Sequence, residues 1–102
     1  MSSRRPEAIL TRPAQRDYRT IQLYTLRQWG PEQATRYMDE IDATLDRLCD
    51  NPYIGKVRFE LPGEPRSFPA NHHLIIYRVR SNAIEIVRIL HERADPTRHL
   101  KA

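Results

Sequence analysis

The sequence is poor in the residues that build disulfides and metal sites. Its only cysteine, Cys49, excludes an internal disulfide, and its place in a helical pattern of apolar residues predicts a buried, inert thiol. No Cys/His cluster has metal-ligand spacing, because the adjacent His72 and His73 would point to opposite faces of a strand. We therefore expect no metal and no cofactor, and a reducing cytoplasm fits the single thiol.

Long apolar runs and clustered charge are also missing. No stretch of ~18 apolar residues exists to cross a membrane, and no apolar segment follows Met1–Pro6 to form a signal peptide. The 102 residues predict one domain, 1–102, in which segments 1–6 and 94–102 are expected to be flexible. The net charge of +4 favours an acidic protein or a nucleic acid as partner, but its arginines are dispersed.

Two helices are predicted in the first half of the chain. Pro13 suits a first helical position, and apolar residues follow it at helical spacing as far as Trp29. Gly30 and Pro31 end that helix and start a second one, which the apolar stripe carries to Asn51. Only Gly-Pro separates the two, which predicts an antiparallel helical hairpin. We expect Trp29, at the end of the first helix, to be a core anchor.

Strands are predicted on both sides of the hairpin. The first is Glu7–Thr11, and the segment 52–65 is rich in Pro and Gly and predicts a loop. Arg66–Pro69, His73–Arg80 and Ala83–His91 then form a meander with a tight turn at 80–83, and Ala94–His99 is a tail or a short helical turn. The fold class is α+β, in the order β-αα-βββ, with the hairpin on one face of a small, mostly antiparallel sheet.

One charge in the last strand is out of place. Strict alternation puts Ile84, Ile86, Arg88 and Leu90 on one face, where an arginine needs either a buried partner or an open groove. If Arg88 has a buried carboxylate partner, it is structural; if its face lines a groove, it belongs to the site. The hairpin can cover only one sheet face, so we expect the opposite face to bind the partner.

The order of short motifs resembles the ParE toxins of the RelE/ParE superfamily over nearly the whole chain. The matching segments are Pro13-Ala14-x-x-Asp17-Tyr18-x-x-Ile21-x-x-Tyr24, Trp29-Gly30-x-x-Gln33-Ala34-x-x-Tyr37, Asn51-Pro52-x-x-Gly55, Pro62-Gly63-x-x-Arg66-Ser67-Phe68-Pro69, His73–Arg78 and Ile84–Asp95. One departure is Arg12, where such toxins often have a serine cap before the proline. Loss of a capping side chain at the start of a helix lowers stability by about 1 kcal/mol.

This resemblance implies the toxin of a type II toxin–antitoxin module. Such toxins are neutralised by a ParD-like antitoxin, whose acidic C-terminal segment wraps the toxin and which alone contacts operator DNA. The implied target is DNA gyrase, so we expect the chain to act as an inhibitor and not as an enzyme. The residues expected to bind target or antitoxin are Arg66, Tyr77, Arg78, Arg88, His91 and Arg93.

Two alternatives stay open from the residues themselves. A ribosome-dependent mRNA interferase needs cationic groups and a proton-transfer group, which Arg66, Arg78, Arg88 and His91 would supply. A chain without toxicity, kept only as an antitoxin-bound corepressor, is the other alternative. The residues themselves do not distinguish these two alternatives from gyrase inhibition.

Overall fold

The computed structural model describes residues 5–100, which form one sheet with two long helices packed on it. The elements in chain order are β1 (Glu7–Leu10), α1 (Arg12–Trp29), α2 (Pro31–Asp50), β2 (Lys56–Val57), β3 (Arg66–Ala70), β4 (His73–Val79), β5 (Ala83–His91) and α3 (Pro96–His99). The predicted α+β fold class, with a helical hairpin and a meander, is confirmed. The two-residue strand β2 was not predicted, because its loop composition hides it.

The hairpin follows from local chemistry at its two ends. Thr11 caps α1: its hydroxyl accepts the N–H of Ala14 at 3.2 Å and donates to the carbonyl of Val87 at 2.8 Å. The concern raised by Arg12 is therefore resolved, because the cap stands one residue earlier. Gly30 ends α1 at φ +85°, a conformation open to glycine, and its N–H donates to the carbonyl of Leu26.

The sheet order is β1-β5-β4-β3-β2. β1 runs parallel to β5, with Glu7 opposite Ala83 and Leu10 opposite Ile86, and the remaining pairs are antiparallel. The two strands predicted to be central, β4 and β5, are central. The helices cover one face, where the main core brings together Ile21 of α1, the stripe of α2 and apolar side chains of the strands. Cys49 lies in this core, and burial raises the pKa of its thiol.

A β-bulge in β5 changes which side chains share a face. Ile76 pairs with Arg88 but Tyr77 pairs with Ile86, so Val87 is an extra residue. Ile84, Ile86 and Ile89 consequently pack in the core under the helices, whereas Leu90 packs in a second core on the other face. The expectation that Ile84, Ile86, Arg88 and Leu90 share one face is wrong, because strict alternation does not survive a bulge.

The opposite face of the sheet is covered and not open. Leu61, Ile76, Leu90 and Leu100 form the second core, with Leu74, Val87 and Ala94 packed against it. The expectation that this face is an open apolar patch is therefore wrong, since chain segments after β2 and after β5 already bury it. Of the ends predicted to be flexible, 94–100 packs here, and Arg5 binds the carboxylates of Asp46 and Asp50. The remaining residues, 1–4 and 101–102, lie outside the described part.

Candidate functional site

Two of the predicted site residues hold the loop between α2 and β3. Tyr77 is fully buried; its hydroxyl donates to the carbonyl of Pro52 at 2.9 Å and accepts the N–H of Gly55 at 2.8 Å. Burial raises the pKa of this hydroxyl. Arg66 donates to the carbonyls of Gly55, at 2.8 Å, and of Tyr53, at 3.2 Å, and its guanidinium lies 5.0 Å from the Tyr53 ring centroid. Both side chains are thus engaged with their own loop.

Arg78 holds the other end of the same loop. Its Nη2 donates to the carbonyl of Pro62 at 2.9 Å, and a Cβ on Gly63 would come within 2.6 Å of that nitrogen. Glycine at position 63, with φ +74°, therefore lets the guanidinium lie directly against the backbone. Together with Tyr77 and Arg66, this contact fixes segment 52–65 at three places.

Arg88 has the buried carboxylate partner that its position required. Its Nε and Nη2 donate to the two oxygens of Asp17 at 2.7 and 3.0 Å, and the side chains are only 21% and 15% exposed. Asp17 also accepts the N–H of Ile89 at 2.9 Å. The hydrogen bonds that Arg88 donates to Asp17 raise the pKa of its guanidinium above its usual range. Beyond the end of β1, strand β5 therefore forms hydrogen bonds with Asp17 of α1.

The remaining two predicted residues, His91 and Arg93, lie exposed where β5 ends. The backbone N–H of Arg93 donates to Nδ1 of His91 at 3.1 Å. The four residues considered for RNA cleavage are consequently dispersed. Arg66 and Arg78 bind loop carbonyls, Arg88 binds α1, and His91 faces a groove that none of these arginines lines.

That groove lies between the hairpin and the end of the sheet, and we call it the aromatic–histidine groove. Its volume is about 370 Å³, and it is lined by Thr20, Ile21, Tyr24, Thr25, Trp29, Tyr37, His72, His73 and His91. Trp29 and Tyr24 are 50% and 58% exposed, so the expectation that Trp29 anchors the core is wrong. Helical spacing placed its side chain toward the hairpin end, where the sheet no longer covers it.

The rings of this groove form a connected series. Tyr24 meets Trp29 edge-on at 6.1 Å, Trp29 lies 6.2 Å from Tyr37, and Tyr37 lies 5.6 Å from His73. His73 in turn meets His91 edge-on at 5.4 Å. These are favourable separations for aromatic pairs, so the exposed rings are held in place before any partner arrives.

Hydrogen bonds fix the polar end of the groove. The Tyr37 hydroxyl accepts the backbone N–H of His72 at 3.2 Å, and it lies 2.6 Å from Nδ1 of His73, the one acceptor within residues 5–100 for its own proton. Burial, with smaller effects from His91 and His72, lowers the pKa of His73 to about 4. His73 is thus neutral near pH 7, and none of the described residues that line the groove is acidic.

A different groove runs along the outer side of the hairpin. Leu23 and Leu26 of α1 face Met38 of α2 across it, and Asp39 and Asp42 supply its charge. Tyr18 donates to Asp42 at 2.7 Å, and burial together with this bond raises its pKa to about 12. The two grooves therefore differ in charge: one is rich in histidine and lacks carboxylates, and the other has an acidic rim.

Residues 5–100 contain neither a candidate metal cluster nor a candidate membrane-spanning helix. In that range no group of three or more His, Cys, Asp or Glu side chains is arranged to hold a metal ion. No helix in the same range combines the length and the apolar character needed to cross a membrane.

Comparison with known proteins gives consistent relatives. The family model described as ParE toxin of type II toxin-antitoxin system, parDE, matches residues 8–96. Toxin ParE1 of Mycobacterium tuberculosis is 37% identical over 101 residues, which cover 98% of this chain and 100% of that protein. Toxin ParE of Escherichia coli is 35% identical over 88 residues, 85% of each chain.

A solved structure agrees with the sequence relatives. It is the chromosomal ParDE toxin–antitoxin system from P. aeruginosa, and it superposes with a TM-score of 0.73 at 26% identity, covering 87% of this chain and 98% of that one. Because the family match spans most of the chain and relatives above 30% identity cover nearly all of it, the chain belongs to the ParE toxin family of type II toxin–antitoxin systems.

Proposed function

We propose that the chain is the toxin of a type II module, that a ParD-like antitoxin binds its aromatic–histidine groove, and that its target is DNA gyrase. The observation that carries the antitoxin part is the groove itself. Half-exposed aromatic rings are costly on a free surface and are typical of interface anchors. Such a toxin works in the cytoplasm and contacts operator DNA only through its antitoxin.

Charge supports this groove over the outer one. The proposed partner segment is acidic, and the described lining of the aromatic–histidine groove has no carboxylate to repel it. The exposed Arg36, together with Glu40, lines a cavity of about 310 Å³ that shares Trp29 and Tyr37 with the groove. Arg93 is exposed, and its backbone N–H contacts the ring of His91, which lines the groove. The rim of the outer groove, with Asp39 and Asp42, would repel the same segment.

Coexpression tests the antitoxin part directly. The product of the neighbouring gene should form a stable complex with the toxin, and Trp29→Ala should weaken it by roughly 100-fold, the effect of a central aromatic anchor. Phe59→Ala is the matched control, because that ring is 73% exposed but does not line the groove. Absence of any complex at micromolar concentration would disprove this part.

Gyrase as the target is supported by the family resemblance and by the dispersal of the groups needed for RNA cleavage. Purified toxin should inhibit gyrase supercoiling, and its expression should induce the DNA-damage response. Codon-dependent mRNA cleavage on ribosomes, abolished by His91→Ala, would establish the interferase alternative. Growth unaffected by expression without antitoxin would instead favour the corepressor alternative.

A further inference from the structure

Two imidazole rings in the aromatic–histidine groove have fixed tautomers. Nδ1 of His91 accepts the backbone N–H of Arg93, so the neutral ring carries its proton on Nε2. Nδ1 of His73 is the one acceptor within residues 5–100 for the Tyr37 hydroxyl proton, which assigns the proton of the neutral His73 ring to Nε2. Each ring thus presents an N–H donor on the side away from its own backbone partner.

These two donors belong to neighbouring rings. The ring centroids are 5.4 Å apart at 80°, and both rings line the groove. Among residues 5–100, no hydrogen bond uses either Nε2 atom, and both atoms are accessible from the groove. The nearby carboxylate of Glu92 is held elsewhere, by Nδ1 of His72 at 2.9 Å.

The surroundings of the donors are apolar. Ile21 and the rings of Tyr24 and Trp29 form the rest of the wall. A fitting ligand therefore joins an apolar or aromatic group to a group that only accepts hydrogen bonds. Among protein side chains, only a carboxylate accepts from two N–H donors without presenting a donor of its own.

We propose that His73 and His91 together bind the carboxylate of one antitoxin Asp or Glu, next to an apolar antitoxin side chain that packs against Trp29 and Tyr24. The inference rests on the proposed binding of the antitoxin in this groove. The histidine pair would then determine specificity, because an antitoxin with an amide in place of that carboxylate would bind more weakly.

Trp29 provides the readout, because it is the only tryptophan of the chain and it lines the groove. The probe is a synthetic peptide of the acidic C-terminal segment encoded by the neighbouring gene, titrated against the full toxin while the Trp29 emission is followed. Each acidic residue of the peptide is changed in turn to its amide. One of these changes should weaken binding roughly 10-fold, as expected for a charge-assisted hydrogen bond.

A double-mutant cycle identifies the contact. His91→Phe keeps a ring but removes the donor, and should itself weaken binding roughly 10-fold. The critical peptide is the one whose amide substitution weakens binding to the unaltered toxin. This peptide and the original peptide should bind His91→Phe with equal affinity, and the same should hold for His91→Phe/His73→Phe. His72→Phe is the control, because its ring lines the same groove but Nδ1 is engaged with Glu92; the peptide carboxylate should keep its full effect there.

The outcomes separate the two proposals. If the peptide binds and shifts the Trp29 emission, but no acidic residue is coupled to His91, the histidine-pair inference is overturned while the antitoxin groove stands. If the intact antitoxin binds without changing the Trp29 emission, the groove itself is the wrong place. The Trp29 emission recorded before each titration shows whether a variant is folded. If a histidine variant does not fold, the amide peptides are compared on the unaltered toxin and on the remaining folded variant.

Discussion

Replacing Arg88 by Ala should destabilise the protein strongly, because it leaves the Asp17 carboxylate without its cationic partner. Breaking a buried ion pair by removing one member costs about 3–5 kcal/mol. Here both side chains keep some contact with water, and Asp17 keeps the N–H of Ile89 as a donor. We therefore expect a loss of about 2–3 kcal/mol, which lowers the Tm of a domain of this size by roughly 10–20 °C.

Thermal unfolding followed by circular dichroism measures this loss, and Arg19→Ala is the matched control. Arg19 is an exposed arginine of α1, the helix that carries Asp17, so its removal should change stability by less than about 0.5 kcal/mol. Asp17→Asn should be milder than Arg88→Ala, since the amide oxygen still accepts from Ile89. In the double variant the losses should be clearly less than additive. A Tm for Arg88→Ala equal to that of Arg19→Ala, with antitoxin affinity reduced, would refute the structural role.

Three further predictions concern other contacts. The pKa of His73 is about 4 in the folded state, below its ordinary value of 6.5, so the folded state binds fewer protons than the unfolded state between these pH values. The contribution of His73 to stability is therefore complete above pH 6.5 and is lost as the pH falls from 6.5 toward 4. The loss at about pH 5 should be at most ~2 kcal/mol by denaturant titration, and absent in His73→Phe. Tyr77→Phe should cost about 2–3 kcal/mol, through the lost bonds to the loop, and should speed limited proteolysis within 52–65 relative to Tyr53→Phe. Thr11→Ala should cost about 1–2 kcal/mol by chemical denaturation, with Thr11→Ser largely restoring it; an unchanged midpoint for Thr11→Ala would contradict the capping role.

The elements were predictable from the sequence because local rules decide them. Gly30 and Pro31 separate two apolar stripes, and that alone specifies a hairpin. The two apolar runs around residue 80 could only be neighbouring central strands. The bulge at Val87 was not predictable, since no glycine or change of composition marks it, and one extra residue reversed the face assigned to Leu90.

The candidate site was harder to predict because its contacts join distant positions. The pair between Asp17 and Arg88 spans 71 residues, and a carboxylate on a helix gives no indication of which strand it meets. Arg66 and Arg78 bind backbone carbonyls, which every residue offers, so their partners cannot be read from residue types. Helical spacing likewise places Trp29 on the stripe without showing where the sheet beneath it ends.

The parallel pairing of β1 with β5 also determines how late in synthesis the fold can be completed. Residues 7–10 leave the ribosome early, but their hydrogen-bonding partners, 83–86, are translated only after both helices and three strands. Thr11 and Asp17 wait equally long for Val87 and Ile89. Such contacts between distant positions form late in folding. A growing chain therefore contains both helices of the hairpin before it can complete the sheet, and the fold is finished only when translation of the domain is almost complete.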